Sequence, residues 1–284
     1  MTVRNVSDTA RWVAWYRAEE SDRPDALFRD PLARRLAGER GRDIVQSLPG
    51  ARSIGWVMVV RTCIFDALIQ QAVADGIDTV LNLAAGFDAR PYRLPLPPAL
   101  RWVEVDLPPL LQEKQVALAG ETPRCRLESV PLDLGDASGR AALFARVGAA
   151  SRRTLVLSEG LLAYLEPAAV LDLARALHAQ PNFEAWCTDL TSPFILQRYM
   201  RRANARLRDA GTPLKFAPEE GEEFFRQAGW MGEQFLTIAE ESHRLKREMR
   251  GAWIFKLLYR LSTPSRRAEM ARRYRSGVVR LCRT

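Results

Sequence analysis

The chain has 284 residues, of which 47% are hydrophobic and 27% charged, with a formal net charge of +8. That balance is the one found in soluble globular proteins, the length is enough to bury a large core, and no apolar run approaches the roughly 20 residues of a membrane span. Cys63, Cys125, Cys187 and Cys282 are scattered without a C-x-x-C pair, and there are only two histidines, which argues against a metal site or disulfide framework and fits a reducing cytoplasm.

The opening residues lack the basic-then-apolar layout of a secretory leader. From Ser7 the sequence SDTARWVAWYRAEE reads as a capped helix with Trp12, Trp15 and Tyr16 near one face. DPLARRLAG predicts a short second helix, with Pro31 near its start and Gly38 at its end. A longer helix runs from about Ile54 to Ala74 on a stripe of Val57, Val60, Ile64 and Leu68. Arg61 sits beside that stripe, where an arginine is uncommon unless something pairs with it. These elements make an N-terminal helical region, 1–76.

The pattern then changes to short apolar runs separated by helical stretches. Strands are predicted at 79–84, 101–106, 126–133, 154–160 and 183–190, with helices between them at 107–120 and 167–180. Such alternation means α/β, a mostly parallel, doubly wound sheet with right-handed crossovers, here over a core at 77–190. Residues 191–223 are polar, helical and interrupted by Pro193, Pro213 and Pro218, as in an inserted helical lid. The remainder, 224–284, completes the sheet with a final strand at 277–282, so that 1–284 reads as a single domain. From His243 onward arginines crowd the chain with only Glu248 and Glu269 against them. That suits nucleic acid, an anionic membrane surface, or simply a solvated helix face. Trp253, Phe255 and Tyr259 recur there at helical spacing and read as core.

The chemistry gathers where strands end. NLAAGFDARPYRLP, 82–95, is a strand running into a small-residue turn, with Ala84 and Ala85 beside Gly86 and the charged Asp88 and Arg90 just beyond. Asp106, Asp133 and Glu159 end three further strands, and in an open parallel sheet all these ends lie on one ligand-binding edge. Carboxylates gathered there repel unless a ligand brings hydrogen-bond donors or positive charge. S-adenosylmethionine brings ribose hydroxyls, an exocyclic amine and an ammonium group, plus a carboxylate that Arg61 can neutralise. NAD competes, because an acidic residue about 20 positions after the glycine also suits its ribose. Against NAD, the turn is not G-x-G-x-x-G, and Asp88 is ill placed beside a pyrophosphate.

VLNLAAGFDARPYRL, WVEVDLPPLLQEKQVAL and LVLSEGLLAYL resemble the leucine carboxyl methyltransferase family, in particular its bacterial branch with the tetracenomycin-type polyketide O-methyltransferases. SDTARWVAWYRAEESDRPDALFRDPLARRLAG and RTCIFDALI extend the resemblance, which spans roughly residues 7–190. It implies a Rossmann-like class I methyltransferase dependent on S-adenosylmethionine. By motif, Arg61 would bind the methionine carboxylate, with Arg17 near it, and Gly86, flanked by Ala84 and Ala85, would let the donor approach the backbone. Asp106, followed by Leu107, would hold the ribose hydroxyls. Asp133 and Leu134 would frame the adenine, Glu159 and Gly160 would sit near the methionine or ribose, and Tyr164 would border the substrate pocket. Family members often carry glycine at the place of Ala84, where a methyl group narrows the turn.

Each residue has a plainer reading. Asp106 and Asp133 can cap helices, Glu159 can be a satisfied turn residue, Arg61 can pair with Asp66 or Glu159, and Tyr164 can be a core aromatic. His178 reads as structural and His243 is uninformative. A carboxylate acceptor needs no general base, whereas a phenol or alcohol does. The shortage of histidines therefore leans towards a small-molecule carboxylate or acidic phenol. The alternative is a non-catalytic S-adenosylmethionine-binding protein, or one docking on nucleic acid through its basic end. RNA methylation is disfavoured by the absence of an N-P-P-[YF] motif after the fourth strand, where SEGLLAYL stands.

Overall fold

The computed structural model describes residues 6–47, 51–198, 200, 201, 204, 205, 208, 211, 213–249 and 251–284, with side chains from Asp8 and, in the third helix, from Ile54. Helices α1 (Val6–Ser21), α2 (Ala33–Ser47) and α3 (Ala51–Ala74) precede the sheet. The helix expected to be capped at Ser7 already includes Val6, and the side chain of Ser7 lies outside the described residues. The short helix expected to end at Gly38 does stop there: Gly38 leaves helical geometry at φ 58°, ψ −172°, which its missing side chain permits, and a second helical stretch continues α2 beyond the kink.

The sheet has seven strands: β1 (Thr79–Leu83), β2 (Arg101–Asp106), β3 (Arg126–Pro131), β4 (Thr154–Ser158), β5 (Phe183–Thr191), β6 (Trp230–Thr237) and β7 (Ser276–Arg283), in the order β3-β2-β1-β4-β5-β7-β6. The first five are parallel, and β7 runs antiparallel between β5 and β6. This is the expected α/β, Rossmann-like class I methyltransferase fold, a mostly parallel doubly wound sheet. Helices α4 (Arg90–Arg93), α5 (Pro108–Ala117), α6 (Ala137–Ala149) and α7 (Pro167–His178) lie between the parallel strands. After β5 come α8 (Pro193–Arg198) and, beyond β6, α9 (Ile238–Arg244), α10 (Ala252–Leu261) and α11 (Pro264–Arg273). The chain order reverses between β1 and β4, which opens a crevice at the carboxyl ends of both.

Every residue of β1 and β4 is buried, because helices cover both faces. On one face Leu81, Leu83, Val103 and Val156 pack with α6, α7 and the rings of Phe144, Trp186, Phe225 and Trp230. On the other, Val80, Trp102, Leu155 and Val278 pack against Val60, Ile64, Phe65, Leu68 and Ile69 of α3. The stretch Ile54–Ala74 of α3 is long and apolar enough to cross a bilayer, at mean hydropathy 1.5, contrary to the expectation that no segment comes near. Half of its most apolar stretch is buried, with those residues against the sheet.

Two further expectations fail. β6 was not foreseen, because its alternation is broken by a shift at Gly232/Gln234 and most of its residues are exposed or half-buried. Trp253, Phe255 and Tyr259 are not core: they are 67%, 44% and 42% exposed on α10, a helix with no buried residue. His178 is structural, its ring edge-on to Trp230 at 5.7 Å.

Trp186 ties the first core together. Its Nε1 donates to Ser158 Oγ at 2.8 Å, and its ring stands edge-on to Phe225 and Trp230. Trp186→Ala should therefore cost about 3–5 kcal/mol in denaturant unfolding with an unchanged slope. A loss below about 1 kcal/mol would mean that the ring does not bridge β4, β5 and β6 as described.

Candidate active site

β1 ends in a left-handed turn. Ala84 has φ 52° and Gly86 φ 51°, so a non-glycine residue occupies a conformation that L side chains adopt at a cost of about 1–2 kcal/mol. The departure noted at Ala84 is thus one of backbone strain as well as bulk. The turn is pinned from two sides. Ala85 N–H donates to Val105 O at 3.0 Å, and Gly86 N–H donates to Asp106 Oδ2 at 2.6 Å. Asp106 Oδ1 accepts from Leu107 N–H at 2.7 Å, and burial pushes its carboxyl up despite both bonds. A β-carbon built on Gly86 would meet Ala10 Cβ at 3.4 Å, so a side chain there would fill the cradle.

Behind the turn runs an unbroken chain of ion pairs. Arg17 meets Asp30 at 2.9 Å, Asp30 lies 3.8 Å from Arg93, and Asp66 is shared by Arg93 and Arg90 at 2.7 Å each. Arg90 reaches Asp88 at 3.1 Å and Glu159 at 2.8 Å, and Arg61 joins Glu159 to Asp189 at 3.0 Å each. Four guanidinium groups meet five carboxylates, a formal balance of −1. Burial alone would lift Glu159, but Arg90 and Arg61 outweigh it and hold the carboxyl below its usual range. Burial would lower Arg61, but Glu159 and Asp189 raise it instead. Asp88 is held at about 2, burial being outweighed by Arg90, Lys114 and the Arg90 N–H.

This settles several alternatives. Arg61 pairs with Glu159, as one reading expected, but not with Asp66, which serves Arg90 and Arg93. Asp88 is neutralised by Arg90 and held by Asn82 Nδ2 at 2.9 Å, so its charge is no longer an argument against a pyrophosphate. Neither Asp106 nor Asp133 caps a helix: Leu107 is the N-cap of α5, which has no side-chain cap, and α6 is capped by Asp136. Arg17 spends its Nη2 on Phe87 O at 2.5 Å, clamping α1 to the turn. Glu159 stands in the bend after β4, its carboxylate satisfied by ion pairs with Arg61 and Arg90.

The turn, with Asp88, Arg90, Asp106, Arg17, Arg61, Glu159 and Asp189, faces one cavity of about 1900 Å³, while Asp30, Asp66 and Arg93 stand behind its wall. Arg17, Arg61, Ala84, Ala85, Gly86, Asp106, Leu107, Asp133, Leu134, Glu159, Gly160 and Tyr164 all line it, so the fold brings together every nominated residue. Asp133 is exposed and accepts from Gly135 N–H at 2.8 Å. Tyr164 is hydrogen-bonded to Thr9, and burial raises its phenol. It packs with Trp12, Leu196 and Leu214. Beyond β5, the N–H groups of Lys215 and Phe216 both donate to Ala163 O, seating that segment over the cavity.

The sequence reading missed four contributors. Asp189 stands near the end of β5, two residues before Thr191, and a search of strand ends for carboxylates would have found it. Arg90 stood in the quoted turn, but its partners are distant in sequence. The helices α9 to α11 furnish a whole wall, including Phe255, Tyr259 and Met270. His243, set aside as uninformative, also lines the cavity, with Nδ1 2.8 Å from Lys256 Nζ and 3.5 Å from Glu248. A candidate base is therefore present, and the lean towards acceptors needing none is weakened.

A model of the leucine carboxyl methyltransferase family matches residues 10–178. A Streptomyces coelicolor protein named as an S-adenosyl-L-methionine-dependent methyltransferase is 39% identical over 204 residues, covering 67% of this chain and 71% of its own. A Parafrankia protein named in the same way is 39% identical over 171 residues, covering 56% of this chain, which spans only 54% of that relative's length. Among solved structures, a DUF574 family protein from Streptomyces avermitilis superposes at TM-score 0.60 with 12% identity, over 97% of each chain. One from Thermobifida fusca, named as a methyltransferase, superposes at 0.59 with 13% identity, over 99% of this chain and 95% of its own. At such identities these two show the fold alone.

Ala84→Gly should relieve the left-handed strain and stabilise the fold by up to about 1 kcal/mol, glycine's extra chain entropy offsetting part of the gain. Destabilisation in denaturant melts would show that the turn does not hold this conformation. Asp88 sits below its ordinary 3.8, so its stabilisation is complete above about pH 5 and lost as pH falls through about 2. The stability gap between the parent and Asp88→Asn should accordingly narrow over that interval, and a gap independent of pH would contradict the pairing with Arg90.

Proposed function

The chain belongs to the leucine carboxyl methyltransferase family, and from that premise we propose that it is an O-methyltransferase acting on a carboxylate or phenolic hydroxyl of a small molecule. One observation carries this reading: the small-residue turn, the strand-end carboxylates and an apolar chamber line a single cavity of about 1900 Å³. Pockets for one small molecule reach roughly 1,000 Å³, so there is room for a donor and an acceptor together.

The methyl donor is S-adenosylmethionine, and the residues present fit it. The cradle at Gly86 admits a ligand against the backbone. Asp106 uses one acceptor site on each oxygen and keeps others for ribose hydroxyls. Asp133 and Leu134 border the adenine, and Arg61 shares itself between Glu159, Asp189 and the methionine carboxylate, with Arg17 nearby holding the turn. Gly160 N–H donates to Asp189, and its left-handed φ of 69° is a conformation that favours glycine. The ion-pair balance of −1 complements a ligand whose sulfonium, ammonium and carboxylate sum to +1. Once bound, the donor supplies a methyl group already activated for transfer, which leaves the protein to align the acceptor and exclude water.

The chain acts as one domain, 1–284, in which the segment 191–223 serves as the lid and Tyr164 borders the acceptor. The apolar chamber, with the resemblance to the tetracenomycin-type branch, supports a polyketide-like acceptor. Four free cysteines suit a reducing cytoplasm. Carboxylate and phenol acceptors differ in their need for a base, and His243 is the group placed to serve a phenol.

Calorimetry with S-adenosylhomocysteine should give a clear binding isotherm, and NAD none. Asp106→Ala should weaken binding by about 1–3 kcal/mol while folding normally. Mass spectrometry over a panel of acids and phenols should then find a methylated product, with His243→Ala slowing phenols and sparing carboxylates. Heat with NAD alone would overturn the donor, and tight donor binding without any product would favour a non-catalytic binder.

A further inference from the structure

Helix α10 has two apolar sides. Ala252, Phe255 and Tyr259 face the cavity. Trp253, Ile254, Leu257, Leu258 and Leu261 point the other way and are 67%, 46%, 49%, 53% and 75% exposed. Spaced at i, i+1, i+4, i+5 and i+8, they form a continuous strip about 140° wide. Such a strip of large side chains is expensive to leave in water and marks a contact surface.

The flanking charge identifies what it contacts. Between Gly251 and Arg275 stand seven cationic side chains against Glu269 alone. Glu269 is taken by Arg273, while Lys256 and Arg275 pair with Glu248 and Glu222. Arg260, Arg266, Arg267 and Arg272 have no acidic partner among the described residues, and Arg267 instead donates to the carbonyls of Ser262 and Arg260. We propose that this segment, α10 with α11, docks the protein on an anionic membrane surface. The Trp253–Leu261 strip enters the headgroup boundary and Arg266 and Arg272 meet lipid phosphates, as an interfacial amphipathic helix requires.

Other occupants fit less well. A second copy packed symmetrically on this strip would bring the same excess of arginines against itself, and like charges across an interface are repulsive. Nucleic acid would engage the arginines but gives no return for burying leucine and isoleucine, which offer no stacking faces. An anionic bilayer satisfies both the apolar strip and the charge. It would also lie within one helix diameter of the cavity wall formed by the opposite side of α10.

Flotation of the full chain with vesicles tests this directly. It should rise with equimolar phosphatidylglycerol and phosphatidylcholine and far less with phosphatidylcholine alone, the difference fading with added salt. Leu257→Gln with Leu261→Gln should reduce flotation at least about tenfold. Arg266→Gln and Arg272→Gln should each reduce it about fivefold. None of these four side chains lines the cavity, so circular dichroism and binding of S-adenosylhomocysteine should be unchanged in all variants. Absence of flotation with the anionic vesicles, or flotation indifferent to the leucine variants, overturns the proposal. A concentration-dependent dimer abolished by those variants, without vesicle binding, would assign the strip to a second copy instead.

Discussion

Arg90 is the charge on which the site is built. It is buried at the first turn after β1, and it reaches Asp66 on α3, Asp88 in the turn and Glu159 at the end of β4. A guanidinium buried without partners is prohibitively costly, and removing one member of such a set typically costs ~3–5 kcal/mol. The three carboxylates in turn are tolerable only because Arg90, Arg93 and Arg61 stand among them. Helix, turn and strand are therefore locked in one relative position. The crevice between β1 and β4 is held open by charge, with apolar packing beneath it.

That arrangement explains how a sheet edge can carry so many acids. Asp106 stands apart from the ion-pair chain, since it is satisfied by two backbone N–H groups and no guanidinium, and burial raises its carboxyl where those of Asp88 and Glu159 are lowered. Like the exposed Asp133, this carboxylate beside the glycine turn has none of its acceptor capacity taken by an arginine among the described residues. The strained Ala84 and the left-handed Gly86 follow from the same geometry, because the chain must turn sharply to place Asp88 and Arg90 behind the cradle.

Above this charged floor the cavity is apolar and is lined by two segments of different origin. The segment after β5 is fastened through the Ala163 carbonyl and the packing of Leu214. The helices between β6 and β7 add the second wall, and the outer surface of α10 among them is as apolar as its inner one. A helix that lines a chamber on one side and meets solvent with tryptophan and leucine on the other resembles neither a core helix nor a surface helix.

By itself the sequence determined the five parallel strands, the final strand β7 and the residues at the parallel strand ends, but not β6. Apolar runs of five or six between helical stretches dictate a parallel sheet, and a parallel sheet places Gly86, Asp106, Asp133 and Glu159 on one edge whatever else the chain does. The left-handed backbone, the pairing of Arg61 with Asp189, the role of Arg90 and the presence of His243 in the cavity were decided only in three dimensions. Each depends on partners more than 20 residues away or on the path of a loop, which local periodicity does not encode. Helix α10 shows the same limit from the other side: helical spacing of Trp253, Phe255 and Tyr259 specifies a helix, but whether its apolar faces are buried depends on what the rest of the chain packs against them, and here nothing in the described chain covers the outer one.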